Sequence, residues 1–234
     1  MRRDVFIETR NVLEFRQKVG FLEDNLNGEP GFALVFGQAG RGKTETTRNY
    51  HAMSGGVFLR VMQGWTQNSF LQELCYQVCG LRPRNSAACK TRIIEALDAS
   101  PQTIFVDEAD RLHVDRIEDL RDIFDTTGVP VVLIGEEELR GLLGTRRRIW
   151  SRVKQVVEFG AVAEEDVAFL ADEAAGLNIS PEACAQIVRY ADGDFRLVWS
   201  FVGHLEKAAR AHEVHDVNVA LVAKVAKQVA SWRR

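Results

Sequence analysis

The stretch Gly37-Gln38-Ala39-Gly40-Arg41-Gly42-Lys43-Thr44 has the residue types and spacing best suited to chemistry in this chain. It fills the pattern G-x-x-x-x-G-K-[ST] without a mismatch. Glycines let the backbone curl until successive N–H groups face anionic oxygens. A helix opening directly after the loop adds the positive end of its dipole. The Lys43 ammonium would reach the β- and γ-phosphates of ATP, and the Thr44 hydroxyl would ligate Mg2+. With Glu45 in the first helical turn, Gly37 to Glu45 form the candidate nucleotide-binding segment.

Asp107 and Glu108 are the next candidates. They end the apolar run Thr103-Ile104-Phe105-Val106, at the strand edge where ligands of open α/β sheets bind. Asp107 would hold Mg2+ through water, and Glu108 would polarise the attacking water. The pair points to hydrolysis as well as binding. Two arginines lie downstream, Arg152 before the last expected strand and Arg196 in Gly193-Asp194-Phe195-Arg196. A guanidinium suits the charge that develops on a transferring phosphoryl group.

These residues need a scaffold, and the apolar pattern supplies one. A helix is expected from Thr9 to about Leu26. Phe32-Ala33-Leu34-Val35-Phe36 is a continuous apolar run of strand length, as found in strands buried on both faces. Further strands are expected at 56–61, 103–106, 130–134 and 156–159, with helices at 43–50, 68–78, 86–97 and 115–125. Strands alternating with helices imply an α/β fold with a parallel sheet flanked by helices. Past residue 160 only helical patterns are expected, at 164–175, 181–191, 195–211 and 217–230. The predicted division is therefore a nucleotide-binding core with an N-terminal helix (1–160) and a helical lid (161–234).

Composition narrows the function classes. Apolar residues make up 46% of the 234 positions, enough for a globular core, and the formal charge is −3. A uniformly basic nucleic-acid coat is excluded, so any DNA contact must come from local patches. No run approaches a membrane span, and the N-terminus lacks a secretory pattern. A reducing, cytoplasmic setting is expected, with Cys75, Cys79, Cys89 and Cys184 as buried thiols.

Together the loop, the Asp-Glu strand end, the two arginines and the helical tail resemble the AAA+ ATPases over nearly the whole chain. The string Phe105-Val106-Asp107-Glu108-Ala109-Asp110-Arg111-Leu112, and Val131-Val132-Leu133-Ile134-Gly135 with acidic residues after it, resemble the transposition regulators of the phage Mu transposition protein B type. That resemblance implies a P-loop core with a C-terminal helical lid. It implies slow, assembly-dependent ATP hydrolysis in a ring or helical filament. It also implies Arg152 acting in trans on a neighbour's nucleotide and Arg196 acting in cis. The implied partners are further copies of the chain, duplex DNA bound without strong sequence preference, and a transposase. One departure stands out: Gly135-Glu136 occupies the place of the family's usual polar sensor 1, so that role is vacant or Glu136 fills it.

Arg82, Arg84, Lys90 and Arg92 form the nearest basic cluster for DNA, and Arg146-Arg147-Arg148 a second that could serve subunit contacts. Phosphate contacts of this kind would be sequence-tolerant and salt-sensitive. Two other functions fit the same core: a helicase loader, and a nucleotide-switched scaffold of a secretion or signalling complex with no DNA role.

Overall fold

The structure, a computed structural model, describes residues 1–2, 4–24 and 28–230. Leu26, at the expected end of the first helix, lies outside the described residues. Contacts divide the chain into two compact units. One comprises Asn11–Gln38 and Lys43–Phe159. The other comprises Met1–Arg10, Ala39–Gly42 and the chain from Gly160 onward.

In the first unit, β1 (Phe32–Phe36), β2 (Val57–Arg60), β3 (Ile104–Asp107), β4 (Val131–Ile134) and β5 (Val153–Glu158) form one sheet in the order β2-β3-β4-β1-β5. Every pair is parallel. The helices are α1 (Arg10–Glu23), α2 (Lys43–Ser54), α3 (Gln67–Cys79), α4 (Ser86–Ala99), α5 (Val114–Thr127), α6 (Glu137–Gly144) and the short α7 (Arg147–Trp150). Side chains alternate across the sheet. Phe32, Leu34 and Phe36 enter a core with Leu71, Ile93 and Ile117. Ala33 and Val35 enter the opposite one with Phe15 and Val19 of α1. Covering both faces explains why β1 is apolar at every position.

Local chemistry sets the helix ends. The Thr66 hydroxyl accepts from Ser69 N at 3.2 Å to start α3, and Asn85 accepts from Ala88 N at 2.8 Å to start α4. Gly80 and Gly128 end α3 and α5 in the left-handed region, where glycine carries no Cβ penalty.

Two expectations about elements need correction. The last strand begins at Val153 and ends at Glu158, where the sequence suggested 156–159; exposed Lys154 and half-buried Gln155 on this edge strand hide the apolar signature. Helices α6 and α7 had no counterpart in the sequence reading, because Leu139, Leu143 and Ile149 are their few buried positions among charged neighbours.

The second unit contains α8 (Glu164–Ala175), α9 (Pro181–Ala191), α10 (Phe195–Ala211) and α11 (Val219–Ala230). The sequence pattern past residue 160 is purely helical, but the unit also holds a two-stranded sheet. β6 (Asn178–Ile179) pairs in parallel with β7 (Asp216–Val217), so Val217 closes a strand instead of opening the last helix. Two-residue strands are too short to show a period. The Asn178 amide donates to Asp216 Oδ1 at 2.9 Å. Ile7 is buried in this unit's core with Val198 and Leu205, so Met1–Arg10 goes with the helices, whereas the sequence grouped it with the sheet.

Candidate nucleotide site

The phosphate loop leaves the C-terminal end of β1, whose sheet neighbours β4 and β5 lie on opposite sides. Open parallel sheets bind ligands at such a reversal of strand order. Gly37, Gly40 and Gly42 take φ values of +141°, +81° and +94°, which side-chain-bearing residues resist. A Cβ on Gly37 would come within 2.5 Å of the Phe159 carbonyl oxygen, and one on Gly40 within 2.1 Å of the Asp194 carboxylate. The loop's middle, Ala39–Gly42, packs with the helical unit: Phe195 N donates to Gly40 O at 2.8 Å.

Helix α2 opens at Lys43, which is 9% exposed. Its ammonium donates to Gly37 O at 2.5 Å and Gln38 O at 2.9 Å. Burial holds this amine below the usual lysine range, while Glu136, Asp110, Asp107 and Glu108 pull the other way. A buried cation tied only to loop carbonyls suits an anionic ligand. Thr44 Oγ1 donates to the Asp107 carboxylate, 3.2 and 3.1 Å from its two oxygens. Burial raises the Asp107 pKa above the usual carboxylate value; the Thr44 hydrogen bond and Arg60 limit the rise. A hydroxyl and a carboxylate side by side are hard oxygen donors. They fit Mg2+, which takes one or two protein ligands and fills the rest of its shell with water and phosphate. Glu45, exposed in the first turn of α2, pairs with Arg48.

Glu108 adopts φ +59° and ψ +37°, uncommon for a residue with a side chain. Its carboxylate is held by two guanidiniums, Arg60 at Oε1 and Arg111 at Oε2, each 3.0 Å away. Arg60 Nε also lies 3.8 Å from Asp107 Oδ2. Sequence reasoning missed both arginines. The signal for Arg60 was strand pairing, since Arg60 lies opposite Asp107 in the β2–β3 register. Arg111 is one turn on from Glu108, in the 3-10 segment Ala109–Arg111.

At the place of sensor 1, Gly135 leaves no room for a side chain: a Cβ would meet Asp110 Oδ1 at 2.3 Å. That oxygen accepts from Glu136 N at 3.1 Å. Glu136 itself is exposed.

Arg152 lies between α7 and β5. Its Nε and Nη2 donate to Asp125 Oδ1 and Oδ2 at 3.0 and 2.8 Å. Arg196 is in the first turn of α10, behind the capping residue Asp194, whose carboxylate accepts from Arg196 N at 2.7 Å. Its side chain is 71% exposed.

The candidate DNA residues do not form one unpaired patch. Arg82 pairs with Glu73 and lies over the Tyr76 ring at 4.3 Å. Lys90 is bound by Asp119 at 2.7 Å and Asp122 at 3.0 Å. Arg92 pairs with Glu95, and Arg84 is exposed. Arg146, Arg147 and Arg148 are exposed. Three of the four cysteines are buried and Cys79 is half-buried, all as free thiols. Burial pushes the Cys75 thiol up to about 12. No helix among the described residues is long and apolar enough to cross a membrane.

A parallel sheet with this strand order, a curled Gly-rich loop and an Asp beside the loop's Thr define a P-loop nucleotide-binding protein. Residues 26–143, half of the chain, match the AAA domain family, and the chain belongs to that family. It is similar to the Mu-like prophage FluMu DNA transposition protein B of Haemophilus influenzae, 26% identical over 64% of this chain and 56% of that protein. It is also similar to the ATP-dependent target DNA activator B of Escherichia phage Mu, 25% identical over 71% of this chain and 55% of that protein. The chain thus spans little more than half the length of these relatives. Among solved structures, Cdc6p from Pyrobaculum aerophilum has the same fold, with a TM-score of 0.66 at 18% identity over 97% of this chain and 69% of that one.

Proposed function

We propose that this protein is an ATPase that assembles with ATP on duplex DNA of arbitrary sequence and directs a transposase to that DNA. The observation that carries the reading is the grouping of Lys43, Thr44, Asp107 and Glu108 at one end of the sheet. The names of the Mu-type relatives support the DNA and transposition part. Lys43 binds the β- and γ-phosphates, relieving the isolation of its buried ammonium. Thr44 and Asp107 hold Mg2+, which neutralises charge on the phosphates. Glu108, once free of Arg60 and Arg111, accepts the proton of the attacking water. Arg152 meets the triphosphate of a neighbouring copy, and Arg196 serves that of its own chain. Gly135, backed by Asp110, presents no side chain at the place of sensor 1, which leaves that role vacant or to Glu136, in keeping with slow turnover.

A mobility-shift experiment with duplex and single-stranded DNA, with and without ATP, tests the reading. Expected are an ATP-dependent shift of any duplex, a steep loss with salt, and no shift for Lys43→Ala. A preference for single strands would favour a helicase loader. No DNA retention under any condition would favour the scaffold reading.

A further inference from the structure

We propose that Asp125 is the positioning residue for Arg152: it occupies the guanidinium's fork in the lone subunit and yields it to a neighbour's triphosphate on assembly. This rests on the reading that Arg152 serves a neighbouring copy.

An arginine side chain has five N–H donors in a rigid plane. Four of those on Arg152 are engaged. Nε and Nη2 grip both oxygens of Asp125, and Nη1 donates to Arg148 O and Ser151 Oγ, each at 3.0 Å. The side-on fork taken by Asp125 is the geometry that recognises two oxygens of a phosphate. Asp125 therefore stands where a phosphate would dock. The backbone of Arg152 is fixed, because its carbonyl accepts from Phe32 N at 2.7 Å and its N–H donates to Ile149 O at 2.9 Å. Only the side chain is left to change partner.

Asp125 has somewhere to go when it lets Arg152 leave. Arg121 Nε is buried and has no hydrogen-bond partner, and it lies 3.7 Å from Asp125 Oδ2. A small shift of the carboxylate would satisfy it. Arg121 is meanwhile kept in place by Glu118 and Asp122, and Asp122 by Lys90 of α4. Asp125 also lies in the last turn of α5, at the negative end of the helix dipole, where a carboxylate is unfavourable. Its pairing, not helix stability, accounts for the charge there. Arg152 and Asp125 side chains are 33% and 37% exposed, so water competes for both and the exchange is easily reversible.

Replacing Asp125 by Asn keeps the shape and removes the competing charge. The protein concentration giving half-maximal ATP hydrolysis should fall by about two- to fivefold, the range of an exposed ion pair, with the change in that concentration and not in the maximal rate. Asp125→Glu should restore the wild-type concentration dependence. In an Arg152→Ala background, which assembles without turning over, Asp125→Asn should leave the concentration for ATP-dependent assembly, read by light scattering, unchanged. An unchanged or raised concentration, or the same shift without Arg152, would overturn the proposal. Arg152→Ala alone retaining full turnover would instead overturn the reading that Arg152 reaches a neighbour. Melting curves of both Asp125 variants separate these results from misfolding.

Discussion

Removing Arg60 should speed hydrolysis. Its guanidinium sits 3.0 Å from Glu108 Oε1, and a carboxylate so held is not free to turn to water. At a side-chain exposure of 45% for Arg60 and 21% for Glu108, solvent screens the pair, and its worth falls to about 1 kcal/mol or less. Arg60→Ala should therefore raise the maximal rate by up to about fivefold, since 1.36 kcal/mol is tenfold in rate. A second signature comes from Asp107. Arg60 is one of the groups limiting the upward shift of that buried carboxyl, so its loss moves the Asp107 pKa higher still. Metal binding requires the ionised form, hence the acid limb of the rate profile should move to higher pH. Phosphate release at saturating ATP and Mg2+, followed across pH, measures both effects. A maximal rate that drops at every pH toward that of Glu108→Gln would refute the reasoning, because Arg60 would then be stabilising charge in the transition state instead of restraining Glu108.

Glu108→Gln should retain ATP while losing at least about a hundredfold in turnover, the scale of general-base catalysis, and should leave assemblies on DNA long-lived in dissociation assays. Arg152→Ala should lose hydrolysis in assembled protein, and mixing it with Lys43→Ala should recover part of the rate; no recovery at any mixing ratio would count against action in trans. Asp107→Asn should stabilise the fold. Burial raises this carboxyl's pKa, so the folded chain binds more protons than the unfolded one between the two pKa values, and stability falls as pH rises through that window. The neutral amide escapes this cost, and a melting point higher by about 2–4 °C at pH 7, with Mg2+-dependent turnover lost, is expected by calorimetry and phosphate release.

The phosphate loop is legible from the amino-acid order alone, because its parts are consecutive residues: glycines that permit positive φ and a Lys-Thr opening a helix. The parallel α/β class is legible there too, since strands buried on both faces must be apolar throughout, as Phe32–Phe36 and Val131–Ile134 are. Contacts between residues distant along the chain emerge only when the elements pack. The register of β2 against β3 sets Arg60 beside Asp107 and Glu108, and no local pattern marks an arginine at a strand end as a partner of a carboxylate many residues away. The packing of α5 likewise gives Lys90 and Arg152 their acidic partners. Charged side chains carry no periodic signal of whom they meet. Their partners are fixed only when the elements that bear them are packed, which is why the loop was legible and the ion pairs around it were not.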